Sequence, residues 1–203
     1  MNRNRIMMIV VMVVVAAVSA ALLGGVYNLT QPKVLLNREM KLKTTILDAF
    51  GIPYDPNNVE QVRELFKNSI ETKTVEGITF YRDYVIENGK KVYKGIALEL
   101  SGSGFWAPIK MLIVLEDDME TIRAVKILEQ AETPGLGGRM TEPWFTAQFK
   151  GKKIKPTFHV VSYRKAKGPN EVDGITGATE TSKAVDKILN QGTKKFFSIV
   201  KNL

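Results

Sequence analysis

Apolar and polar positions alternate in different ways along this chain, and each regime predicts a different kind of element. From Ile6 to Gln31 there is no charge, and the run is rich in Val, Met, Ile, Ala and Leu. Ile6 to Leu29 is 24 residues. As a helix it would be about 36 Å long, against a hydrocarbon core of ~30 Å. Residues 33–50 then show helical spacing with a stop at Gly51, followed by Pro53 and Pro56, which predicts a stalk helix. Asn58 is placed to cap a short helix over 59–68. The pattern next turns to strands over 78–86, 92–100, 109–115 and 121–128, rich in β-branched and aromatic residues. Asn88-Gly89 marks a tight hairpin, and Glu116-Asp117-Asp118 marks another turn. A loop over 131–140 leads to a short helix over 142–149 and a strand over 158–163. The last helix spans 179–191, and a basic tail continues it or packs back on the sheet.

Strands grouped in the middle with helices at both ends predict an α+β fold. The expected organisation is one N-terminal transmembrane helix and stalk, then a single domain with a mainly antiparallel sheet flanked by helices. The boundaries are a tail over 1–5, an anchor over 6–29, a stalk over 30–51 and a domain over 52–203. A cleaved signal peptide is the rival reading of the N-terminus, because Ala17-Val18-Ser19-Ala20 offers small residues for cleavage. The apolar run exceeds the ~7–15 residues of a signal core, which favours an anchor. Arg3 and Arg5 precede it, but Lys33, Arg38, Lys41 and Lys43 follow, so local charge does not set its orientation.

Composition narrows the chemistry. The chain has 203 residues and no cysteine, which removes disulfides, iron–sulfur clusters and thiolate zinc sites. His159 is the only histidine, so no histidine-rich metal cluster is expected, and it reads as a structural residue. Any redox chemistry must be carried by an organic cofactor. The net charge of +8 comes entirely from residues 150–203, which hold 12 Lys+Arg against 4 Asp+Glu. Such a segment suits an anionic cofactor, an anionic lipid or plain solvation. Nothing resembles a helix-turn-helix, a zinc finger or an aromatic RNA-binding strand, so no nucleic-acid partner is expected.

The most informative stretch is Asp173-Gly174-Ile175-Thr176-Gly177-Ala178-Thr179. It is a small-residue loop running into a helix. Gly174 and Gly177 permit unusual backbone angles, and Gly177 with Ala178 leaves room for a bulky group. Thr176 and Thr179 supply hydroxyls. The first N–H groups of the helix lack internal partners, which suits a phosphate. The same residues would also serve as a plain helix cap.

This stretch resembles the Asp-x-x-Ser/Thr-Gly-Ala-Thr signature of the FMN-binding domain family. Glu132-Thr133-Pro134-Gly135-Leu136-Gly137 resembles the family's second signature, about 40 residues earlier. The likeness is greatest to the G subunit of the Rnf complex and the C subunit of the sodium-translocating NADH:quinone reductase. It implies that FMN is joined by a phosphoester bond to Thr179, placed there by a flavin transferase that uses FAD. It implies that Asp173 and Thr176 serve transferase recognition or hold the phosphate. It implies that the loop of Glu132 to Gly137 lies beside the isoalloxazine ring, with Leu136 on the ring face and Glu132 holding the loop. Ser101-Gly102-Ser103-Gly104-Phe105-Trp106 resembles a Gly-Leu-Trp segment of the quinone-reductase protein, with Phe105 in place of Leu. Trp106 would stack on the ring or pack in the core. Lys183, one turn into the helix, adds positive potential or is simply solvated.

The resulting expectation is a membrane-anchored electron carrier with covalent FMN in an Rnf-type complex that couples ferredoxin oxidation and NAD reduction to Na+ or H+ transport. The equivalent quinone-reductase protein is the alternative, and a tethered cofactor-free binding module is another. A lone flavoenzyme is disfavoured, since no acid–base pair stands out. Partners would be other membrane subunits, with the domain on the outer face of the cytoplasmic membrane.

Overall fold

A computed structural model describes residues 3–200. The chain divides into two compact units between Leu42 and Lys43. The first unit is carried by helix α1, Arg3–Phe50, which crosses the division. The apolar N-terminal run is exposed throughout and is long and apolar enough to cross a membrane. The anchor and stalk expected as separate helices lie on this one helix, with Pro32 inside it. A proline removes one backbone donor without forcing an end when its flanks are good helix formers. Near it, the Thr30 hydroxyl donates to Val26 O at 2.8 Å.

The second unit starts with the last turns of α1, where Ile46, Leu47, Ala49 and Phe50 are buried. Gly51 ends the helix with φ +74°. Its N–H donates to Asp48 O, and Ile52 N donates to Leu47 O at 2.9 Å. This is the left-handed glycine stop that satisfies the last carbonyls. Asn58 caps α2, Val59–Ser69, through its side chain to Gln61 N at 3.0 Å.

Strands β1 (Ile70–Val75), β2 (Ile78–Glu87), β3 (Lys90–Ser103), β4 (Pro108–Glu116) and β5 (Ile122–Glu129) follow. They form one antiparallel sheet in chain order. Asn88 and Gly89 have φ of 52° and 75°, the doubly left-handed geometry of a two-residue hairpin. Glu76 and Gly77 repeat it at 50° and 78° between β1 and β2. Strand β1 was not expected, because Glu71, Thr72, Lys73 and Thr74 are polar, as an exposed edge strand tolerates.

Alternate residues on β3 (Ile96, Leu98, Leu100) and β4 (Ile109, Met111, Ile113, Leu115) point into one core. Helix α4, Thr179–Val200, covers this face with Val185, Ile188, Leu189 and Phe196. Phe196 meets Phe80 edge-on at 5.5 Å. The opposite face carries Tyr81, which meets Phe66 of α2 at 6.2 Å. The sheet therefore lies between two helical layers, and the fold is α+β.

The short helix expected over 142–149 is a run of turns. A 3-10 turn, Gly137–Thr141, leads into α3, Pro143–Thr146, and a second 3-10 turn, Ala147–Phe149. The strand expected over 158–163 shortens to β6, His159–Val161, which pairs in parallel with β7, Glu171–Asp173. That pair departs from the antiparallel pattern. Helix α4 runs nine residues past its expected end, so the basic tail continues it; residues 201–203 lie outside the described range.

Candidate functional site

Three loops meet at the N-terminus of α4. The first follows β3, where Gly104 N donates to Ala107 O at 2.9 Å. The second is the turn after β5, in which Leu136 N and Gly138 N both donate to Thr133 O, at 3.1 and 3.0 Å. The third leaves β7 and is tied down by Gly174 N donating to Val161 O at 2.7 Å. Gly177 has φ +80°, and a Cβ there would lie 3.2 Å from Leu136 Cδ2, so glycine lets the second and third loops touch.

Together they enclose an open cavity of about 280 Å³. Of the residues expected from sequence, Trp106, Glu132, Thr133, Leu136, Gly137, Gly177, Ala178 and Thr179 line it. Asp173, Gly174, Thr176, Pro134, Gly135 and Lys183 do not. Phe105, Glu180 and Thr181 line it as well and were not singled out as site residues from sequence. A larger groove of about 980 Å³ lies by the C-terminal half of α4, and none of the expected residues lines it.

Glu132 holds the cavity together. It is only 4% exposed. Its Oε1 accepts from Trp106 N at 2.9 Å and Ala107 N at 3.4 Å, while Oε2 accepts from the Thr181 hydroxyl at 2.7 Å. The carboxylate thus ties the first loop to α4, in place of the expected bonds to its own loop. Burial pushes its pKa up. The Thr181 hydroxyl and the backbone N–H groups of Trp106, Ala107 and Phe105 outweigh that and hold it below the usual glutamate value. Gly104 and Gly137 pack against it: a Cβ on Gly104 would meet Oε1 at 2.5 Å, and one on Gly137 would meet Cβ of Glu132 at 2.9 Å.

The hydroxyls divide sharply. Thr181 is 3% exposed and spent on Glu132. Ser182 is buried, donating to Ala178 O at 3.0 Å and accepting from Ile175 N at 2.9 Å. Thr179 and Thr176 are exposed, and of these only Thr179 lines the cavity. Helical rotation explains the contrast between Thr179 and Thr181, since two residues are about 200° apart around the axis.

Asp173 serves the loop's rear. Its carboxylate accepts from Ala166 N at 2.7 Å and Lys165 Nζ at 2.9 Å. Those bonds, led by Ala166, hold its pKa below the usual aspartate value. Its backbone N–H donates to Gln148 Oε1 at 2.9 Å. Lys183 pairs with Glu180 at 2.7 Å, both exposed. His159 is exposed, with Nδ1 3.8 Å from Asp186 Oδ2. Trp106 is 70% exposed, so it is not a core residue. With Phe105 and the half-exposed Leu136 it gives the cavity an apolar, aromatic rim.

Residues 104–194 match the model of the FMN-binding domain family. This segment is similar to FMN-binding domains. It contains all three cavity loops from Gly104 onward, together with the start of α4. The chain is 37% identical over 108 residues to the C subunit of the Na+-translocating NADH-quinone reductase of Vibrio vulnificus. The match covers 50% of this chain and 42% of that one. Its Yersinia pestis counterpart is 31% identical over 113 residues, covering 53% and 42%. The chain thus spans about two-fifths of the length of these curated relatives.

Among solved structures, the C subunit of the Na+-translocating NADH-quinone reductase from Parabacteroides distasonis superposes with a TM-score of 0.61 at 26% identity, over 80% of this chain and 92% of that one. NqrC of Shewanella oneidensis gives 0.64 at 20% identity, over 82% and 98%, which is a likeness of fold.

The cavity fits FMN. A flat, largely apolar ring system matches the exposed Phe105, Trp106 and Leu136. A phosphate matches the start of α4, where unpaired backbone donors and the helix dipole favour an anion.

Proposed function

We propose that this chain is a membrane-anchored electron-carrier subunit with FMN attached through a phosphoester to Thr179. The observation that carries the attachment point is the sorting of hydroxyls at the start of α4: Thr179 is exposed and lines the cavity, while Thr181 and Ser182 are buried and hydrogen-bonded. Thr133, also exposed on the cavity, lies in the turn after β5 and not at the helix start that suits a phosphate. In the attachment, a flavin transferase draws on FAD. The Thr179 oxygen bonds to the FMN phosphorus, AMP leaves, and the hydroxyl proton is released. Loaded FMN supplies the electron chemistry, and the domain binds and orients it.

The named relatives are subunits of the Na+-translocating NADH-quinone reductase, which supports membership of a complex of that kind over the Rnf-type reading. Its partners would be the other membrane subunits. The length and apolarity of helix α1 support a single-pass membrane anchor. The cytoplasmic membrane and the outer face for the domain are the reading that the family resemblance implies. The proposed organisation is an anchor over 6–29, a stalk over 30–51 and a domain over 52–203, with the last turns of the stalk belonging to the domain's compact unit. Asp173 and Thr176, outside the cavity lining, suit contact with the transferase better than contact with bound phosphate. Lys183, neutralised by Glu180, adds little to phosphate binding.

The test is intact mass and in-gel fluorescence of the denatured full chain after co-expression with a flavin transferase. A gain of one FMN less one water, on the peptide holding Thr179, is expected. An unmodified mass beside a competent transferase would leave a tethered binding module.

A further inference from the structure

We propose, resting on the flavin-carrier reading, that Glu132 sets the flavin's reduction potential: its carboxylate is a fixed negative charge in the cavity wall that opposes charge added to the ring.

Glu132 lines the cavity yet is almost fully buried. A buried carboxylate is usually paired with a cation or protonated. Here its donors are a hydroxyl and backbone N–H groups, all neutral. Those dipoles hold the group ionised without cancelling its charge. In a poorly solvated wall such a charge acts more strongly than at the surface. The other acid on the cavity, Glu180, is exposed and paired with Lys183, so water and the lysine screen it.

A mechanical clamp would not need the charge. The amide oxygen of a glutamine can accept from Trp106 N and Ala107 N, and its NH₂ can donate to a reoriented Thr181 hydroxyl. What a glutamine lacks is the negative charge. Two electrons from a partner electron carrier and one proton from water add one net negative charge to the ring. Glu132 opposes that charge and so lowers the potential, or favours uptake of the second proton that would neutralise it.

The experiment uses the full chain, flavinylated by co-expression, as wild type and as Glu132→Gln, Glu180→Gln and Thr181→Val. Each is melted to confirm folding, then titrated spectroelectrochemically with mediators at pH 8. Glu132→Gln is expected to raise the reduced-to-oxidised ratio at a fixed applied potential about tenfold, ~30 mV for a two-electron couple. Glu180→Gln should move it less. Thr181→Val keeps the charge but removes a compensating donor, so the ratio should fall. A folded Glu132→Gln protein with the wild-type ratio overturns the proposal. So does a rise in Thr181→Val, which decides the matter even if Glu132→Gln fails to fold. A wild-type chain that takes up no flavin beside a competent transferase defeats the carrier reading and the proposal with it. Normal uptake with an unshifted Glu132→Gln defeats the role of the charge alone.

Discussion

Glu132 and Thr181 are 49 positions apart in the chain, yet the Thr181 hydroxyl donates to the Glu132 carboxylate at 2.7 Å. That bond crosses from the turn after β5 to the first turn of α4. The other carboxylate oxygen holds the backbone of Trp106 and Ala107. One side chain thereby fixes the relative position of the loops that wall the cavity.

This arrangement has a pH signature. The folded-state pKa of Glu132 lies below its ordinary 4.5, because hydrogen bonds outweigh burial. Its ionisation therefore contributes stability that is fully present above pH 4.5 and is lost as pH falls through the lower folded value. Asp173 shifts in the same direction, so some acid loss is common to all variants. Melting temperatures of wild type and Glu132→Gln across pH should show a gap that is largest above pH 4.5 and narrows on acidification. A gap that widens in acid would contradict the hydrogen-bond account.

Gly137→Ala should loosen the same junction. The new Cβ would collide with the Thr181 hydroxyl and lie 2.9 Å from Cβ of Glu132. Both neighbours are buried, so relief requires backbone movement. A loss of about 1–3 kcal/mol in urea unfolding is expected. Unchanged stability would mean that the turn relaxes freely.

Thr179→Ala removes an exposed hydroxyl at the start of α4. Stability should change by no more than about 0.5 kcal/mol, the usual range for surface positions. Covalent flavin should vanish. Retained fluorescence on a denaturing gel would move the attachment point elsewhere, with Thr133, the other exposed hydroxyl on the cavity, the first candidate.

Asp173 can be separated into its two bonds. Asp173→Asn keeps an acceptor for Ala166 N–H and loses the charge facing Lys165. Asp173→Ala loses both. The alanine variant should cost about 1 kcal/mol. The asparagine variant should cost little, since Lys165 is largely solvent-exposed. If Asp173 serves transferase recognition through its charge, both variants should lower the flavinylation rate. If only the alanine variant does so, the loop's shape is what counts.

Much of this molecule was legible along the chain. Local rules govern the Asn58 cap, the Gly51 stop and the Asn88-Gly89 hairpin, and each stands where the residue types place it. Alternation on β3 and β4 marked the core face, since every second residue shares a side of the sheet. Strand β1 escaped because its edge position demands no apolar residues, and β7 because three residues are too few to show a period. Helix α1 is continuous where an anchor and a separate stalk helix were expected, since Pro32 was not enough to end it, and of the two courses open to the basic tail it takes the continuation of α4.

The two loop signatures, and Thr179 within one of them, were visible in the sequence because glycine spacing and small residues are local properties. Tertiary structure alone decided which hydroxyl of the first turn of α4 stayed exposed, where the Glu132 carboxylate pointed, and that Asp173 turned to the Ala166 backbone and the Lys165 side chain. Those outcomes depend on contacts between segments 7 to 49 positions apart. They arise when packing of α4 on the sheet buries one side of its first turn and leaves the other open, which no linear pattern records.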